Sequence, residues 1–82
     1  MDILDGLIDN KKLKILGLFA GHPESIYHIK KVSEETAVPL ATTFRIINSL
    51  VRIKIIEVRK ISKFKIYSLA KNNKTDRLRE LL

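Results

Sequence analysis

The chain has 82 residues, 45% apolar and 30% charged, with no cysteine and a formal net charge of +7. That length fits one small domain that is marginal on a single core, and the missing thiols exclude disulfides, thiolate metal sites and a cysteine nucleophile. No apolar run reaches the roughly 18 residues that cross a bilayer, and the acidic start MDILDGLID lacks the basic region of a secretory or transit signal; a cytoplasmic, cofactor-free protein is expected, with a polyanionic partner to match a pI near 9.9.

In chain order, Asp9-Asn10 caps a first helix over Lys11 to Ala20. Leu13, Leu16 and Ala20 fall on one side of it and Ile15, Leu18 and Phe19 on the other, so its second half is apolar nearly all round and should be buried. Gly21-His22-Pro23 ends it, with Gly21 as a C′ glycine and a proline that cannot continue the helix. Ser25-Ile26-Tyr27 is β-prone between two turns and reads as a one-rung strand. A second helix, Ile29 to Thr36, turns Ile29, Val32 and Thr36 inward and Lys30, Lys31, Glu34 and Glu35 to water.

Ala37 closes that helix, and Val38-Pro39 opens a third over residues 39–52. At about 100° per residue around Ile47, an inward arc collects Leu40, Thr43, Phe44, Ile47, Leu50 and Val51. Ala41, Thr42, Arg45, Ser49, Arg52 and Ile53 lie opposite, with Ile46 and Asn48 on the borders. Phe44 sits at the edge of the arc, where it either packs inward, the favoured placement, or offers its ring to a thymine methyl.

The period then changes from helical to alternating. Glu57 to Lys60 and Lys63 to Tyr67 read as the strands of a hairpin, with Val58, Phe64 and Ile66 set against Glu57, Arg59, Lys63 and Lys65. The connection Lys60-Ile61-Ser62-Lys63 has no Gly or Asn for a tight primed turn, so a looser loop is expected. Between Arg52 and Leu69 there are six basic residues and one acid, Glu57. After Asn72-Asn73, Lys74 to Leu82 forms a short amphipathic helix.

This order, α-β-α-α-β-β plus a C-terminal helix, resembles a winged helix-turn-helix domain, mainly α with a small β-hairpin wing. Within it, PLATTFRIINSL resembles the recognition helix of ArsR-like, MarR-like and related prokaryotic regulators. Thr42, Thr43, Phe44, Arg45, Ile47 and Leu50 fit that pattern, while Ile55-Ile56 and Tyr67-Ser68-Leu69 match the residues that frame the wing. The likeness covers residues 11–69 of a single domain spanning 1–82; residues 1–10 and 72–82 are extensions for packing or dimerisation. Two positions depart from it. Lys54 stands where glycine is usual, at a cost of about 1 kcal/mol if its backbone is left-handed. Ala37 stands where a turn glycine is common, which suggests a relaxed turn. With only His22 and His28 as metal-type ligands, metal sensing is not expected.

The resemblance implies a sequence-specific, double-stranded DNA-binding transcriptional regulator. Ala41, Thr42, Phe44, Arg45 and Ser49 are the candidates for the major groove, where Arg45 forks onto guanine and Thr42 meets thymine. Arg52, Arg59, Lys60, Ser62, Lys63 and Lys65 are the candidates for the wing and its flank, on phosphates or in the minor groove. Ile3, Leu4, Leu7 and Ile8, with Leu78, Leu81 and Leu82, would build a homodimer interface. No Gly-rich phosphate loop and no nucleophile with a credible base is present, so neither an enzyme nor a small-molecule ligand is expected. The alternatives are a protein–protein module within a transcription or replication assembly, and non-specific architectural binding driven by the wing alone.

Overall fold

The computed structural model describes residues 10–81. Helices α1 (Asn10–Gly21), α2 (Ile29–Thr36) and α3 (Leu40–Arg52) are followed by strands β1 (Ile56–Ile61) and β2 (Phe64–Leu69) and by helix α4 (Asn73–Leu81). The mainly helical architecture with one antiparallel hairpin is the one expected. The cap assigned to Asp9, and the apolar residues Ile3, Leu4, Leu7, Ile8 and Leu82, lie outside the described residues.

The core joins Ile15 and Phe19 of α1, Val32 of α2, Val38, Ile46, Ile47 and Leu50 around α3, and Ile55, Ile56, Tyr67 and Leu69 of the hairpin. Each such side chain contributes about 1.5–3 kcal/mol by leaving water. Leu16 and Leu18 are only half-buried and Leu13 is exposed, so α1 buries one stripe rather than its whole circumference. Gly21 does not act as a C′ residue either: it is the last helical residue, and no described glycine has positive φ.

Tyr27 pairs with Tyr67 through two reciprocal backbone bonds of 2.8 Å, which makes the expected one-rung strand real. Its ring meets Phe19 edge-on at 5.2 Å, so this rung ties the hairpin to α1.

The turn between α2 and α3 is tight rather than relaxed. Ala37 is left-handed, with φ 56°, and directs Val38 into the core. The Val38 carbonyl then accepts two hydroxyl donors, Ser33 Oγ at 2.6 Å and Thr43 Oγ1 at 3.2 Å. One hydroxyl comes from each helix, so a single oxygen links the two. Pro39 caps α3 instead of opening it, its carbonyl accepting the Thr43 N–H at 2.8 Å.

Helix α3 ends in a Schellman motif. Ile55 N–H reaches the Leu50 carbonyl at 2.9 Å and Lys54 N–H the Val51 carbonyl at 3.0 Å, around a left-handed Lys54 with φ 66°. Ile55 and Leu50 are both buried, which supplies the hydrophobic contact the motif usually carries. Asn72 Nδ2 donates to the Lys54 carbonyl at 2.8 Å. The same Asn72 caps α4: its Oδ1 accepts the Thr75 N–H at 3.0 Å, and Thr75 Oγ1 accepts the Asn72 N–H at 3.1 Å. This reciprocal pair is the capping-box geometry with threonine in the return position, and it sets α4 against α1 with Leu78 on the core.

Candidate nucleic-acid interface

Helix α3 meets the rest of the domain along Thr43, Ile46, Ile47 and Leu50, all buried. The centre of that arc is rotated from Ile47 by about 50°, half a residue step. The rotation corrects the sequence reading at both flanks. Ile46 is core rather than border, while Leu40 and Phe44 are exposed, Phe44 to 51%. Both flanks are apolar, so periodicity could not tell which one the neighbouring elements would cover.

The exposed face of α3 therefore presents Ala41, Phe44, Arg45 and Arg52, with Asn48 half-buried among them. Asn48 was missed because it fell on a border of the misplaced arc. Its amide is of the type that pairs with adenine N6 and N7, and it stands one helical turn from Arg45. Thr42 is half-buried at the opposite edge. Ser49 is also half-buried, and its hydroxyl donates to the Ile46 carbonyl at 2.7 Å, within its own helix.

The hairpin differs from the expected wing in turn and in register. Ile61 pairs with Phe64, leaving a two-residue connection, Ser62-Lys63, in which Ser62 adopts φ 56°. Serine occupies a position that glycine or asparagine would fill at less cost. The short turn puts Val58 opposite Tyr67 and Lys60 opposite Lys65, and Arg59 opposite Ile66. Paired residues share a face. Val58 therefore stands with Lys60 and Lys65, whereas Phe64 and Ile66 stand with Arg59 and Glu57, so the expected segregation of apolar from charged residues is not the observed one. Phe64 and Val58 are exposed; Tyr67 and Leu69 supply the buried face of β2.

Arg59, Lys60, Ser62, Lys63 and Lys65 are all exposed. Among the described residues the side-chain ion pairs are Lys31–Glu35 at 3.1 Å and Lys71–Glu24 at 3.4 Å. Neither involves Arg45, Arg52 or a basic residue of the wing. Lys60 and Lys65 face each other across the ladder, an arrangement that costs stability because like charges are held together. The surface made by α3 and the hairpin thus holds cations that the described fold leaves uncompensated.

A family model, the IclR helix-turn-helix domain, matches residues 11–60. Among solved structures, the chain superimposes on a protein of Archaeoglobus fulgidus with a TM-score of 0.75 at 18% identity, over 98% of this chain and 88% of that one. A Mycobacterium bovis fragment, described as the homodimeric winged helix-turn-helix DNA-binding domain of a possible ArsR-family transcriptional regulator, aligns with a TM-score of 0.70 at 22% identity, covering 94% and 68% of the two chains. A predicted DNA-binding transcriptional regulator of Escherichia coli aligns with a TM-score of 0.72 at 18% identity, covering 96% and 80%. No curated protein matches in sequence.

Proposed function

The chain belongs to the IclR helix-turn-helix domain family, a binding module and not an enzyme, and on that premise we propose that it regulates transcription by binding double-stranded DNA sequence-specifically. The observation that carries this reading is the set of cations on α3 and the wing that form no ion pair among the described residues, two of which, Lys60 and Lys65, oppose each other across the hairpin. That pair lowers the stability of the hairpin, and a row of phosphates compensates it. Helix α3 enters the major groove with Ala41, Phe44, Arg45 and Asn48 foremost. Arg45 reads guanine, Asn48 adenine, and the exposed Phe44 ring meets a thymine methyl. Thr42 and Ser49 contact the rims of the groove. Arg52, Arg59, Lys60, Ser62, Lys63 and Lys65 hold the backbone and the adjacent minor groove.

The protein acts as a homodimer on a pseudo-palindromic site whose half-sites lie about one helical turn, roughly 34–36 Å, apart. The terminal segments carry the dimer contact. Leu81 at the end of α4 is exposed, whereas Leu78 is spent on the protein's own core. The decisive experiment is selection of bound sequences from a random duplex pool, followed by titration of the enriched duplex. A two-fold symmetric consensus is expected, with a log–log salt slope of roughly −4 per subunit from about four wing phosphates. Binding no tighter than to random duplex would refute the regulator.

A further inference from the structure

The last rung of the wing, just behind its turn, is apolar. Ile61 and Phe64 form the last rung of the hairpin, on either side of the Ser62-Lys63 turn, and are 58% and 56% exposed. Neither belongs to the core. The Phe64 ring is braced from two sides: the His28 ring meets it edge-on at 6.0 Å, and the Lys63 ammonium lies 6.0 Å from its centroid. Cations surround this rung on every side. Arg59 shares its face of the hairpin, Lys60 and Lys65 occupy the opposite face, and Lys63 sits in the turn. No acid occurs between Val58 and Tyr67.

A blade charged on both faces and at its turn, with an apolar rung directly behind that turn, matches a slot with anionic lips and an apolar floor. The minor groove of duplex DNA is such a slot, with phosphates along both edges and stacked base pairs within. A flat anionic surface such as a lipid headgroup layer would engage cations on one face only. We propose that the wing tip enters the minor groove and that Ile61 wedges into a base step, with Phe64 as its buttress, unstacking the step and bending the duplex. Apolar wedges of this kind open a base step and kink the duplex toward the major groove. The proposal rests on the DNA-binding reading above and adds to it a way of reading sequence, since pyrimidine–purine steps open most easily.

The test uses the full chain and its selected duplex, with 2-aminopurine placed in turn at each step flanking the half-sites and a fluorophore pair on the duplex ends. Wild type is expected to raise the 2-aminopurine signal at one step per half-site by about twofold or more and to shorten the end-to-end distance. Ile61→Val should retain both effects. Ile61→Thr, still β-branched and so still suited to the strand, should lose both while keeping the same consensus sequence. Phe64→Leu, which keeps an apolar rung without the braced ring, should weaken the signal without abolishing it. Tight binding by wild type with no unstacked step at any position overturns the wedge and leaves Ile61–Phe64 as a cross-strand pair that stabilises the hairpin. Sedimentation with phosphatidylserine vesicles that is lost in Ile61→Thr, with the DNA signals unmoved, overturns it in favour of a membrane surface. Failure of wild type to select any duplex refutes the DNA reading itself, and the wedge with it.

Discussion

At the scale of single residues, three described non-glycine positions hold left-handed backbone: Ala37, Lys54 and Ser62, at φ 56°, 66° and 56°. Each marks a junction: the turn between α2 and α3, the end of α3 and the wing tip. Two of them stood out in the sequence, because an alanine and a lysine occupy positions where this kind of fold favours glycine. Left-handed backbone costs an L-residue about 1–2 kcal/mol, while glycine adds unfolded-state entropy worth about 0.4–1 kcal/mol. Lys54→Gly and Ala37→Gly are each expected to stabilise the domain by roughly 0.5–1 kcal/mol, read as a higher urea midpoint at unchanged slope. Arg45 is different, since it is exposed and takes part in neither ion pair among the described residues. Arg45→Ala should cost about 1–3 kcal/mol of affinity for the selected duplex and relax the preference at one base. Its affinity for random duplex should change little in a parallel titration.

At the scale of elements, the hairpin trades stability for charge. Lys65→Glu replaces the like-charge pair with Lys60 by an opposite-charge pair. It should raise fold stability by about 0.2–1 kcal/mol while lowering DNA affinity on every sequence tested and reducing the salt slope by about one or two units, one for the lost contact and more for repulsion. Thermal melting and salt titration of the same variant measure both halves of this trade. Helix α3 has a related division of labour. The Val38 carbonyl, accepting from Ser33 and Thr43, links α2 to α3 behind the face that carries Arg45 and Asn48. That link was invisible in the linear chain. Thr43 read as an inward residue, but its partner five residues earlier could be known only once the turn had closed.

Across the whole molecule, the hairpin is anchored at its base, and near its tip the Phe64 ring meets His28. Tyr67 is buried at the base, between the Tyr27 rung and the core. Burial pushes its phenol above the ordinary value, because the charged form would lie out of water. The folded protein thus keeps a proton that the unfolded chain gives up near pH 10, and this contribution is complete below about pH 10. It is lost as pH rises through the folded value. The exposed Lys31, raised by its hydrogen bond to and charge attraction for Glu35, titrates in the same sense. Urea midpoints should fall from about pH 9 to about pH 11.5. In Tyr67→Phe that fall should be smaller, and a fall of equal size would place the alkaline transition elsewhere.

The sequence by itself determined the order of elements, the single rung at Tyr27 and the concentration of charge between Arg52 and Leu69, while the resemblance marked Lys54 as a residue in a glycine position whose strain depended on its backbone being left-handed. These follow from local causes: helical and alternating periods, proline and turn chemistry, and the position of each charge along the chain. The tertiary structure alone decided which flank of α3 meets the core, and so moved Phe44 and Leu40 out, Ile46 in, and Asn48 onto the candidate interface. It also closed the wing in two residues, although Ser62 is a poor residue for that turn. The closure fixed a register that opposes Lys60 to Lys65 and sets Ile61 beside Phe64. The physical reason is common to both. A period defines a stripe and a ladder has two faces, but only the neighbours packed against them select the azimuth of the one and the register of the other.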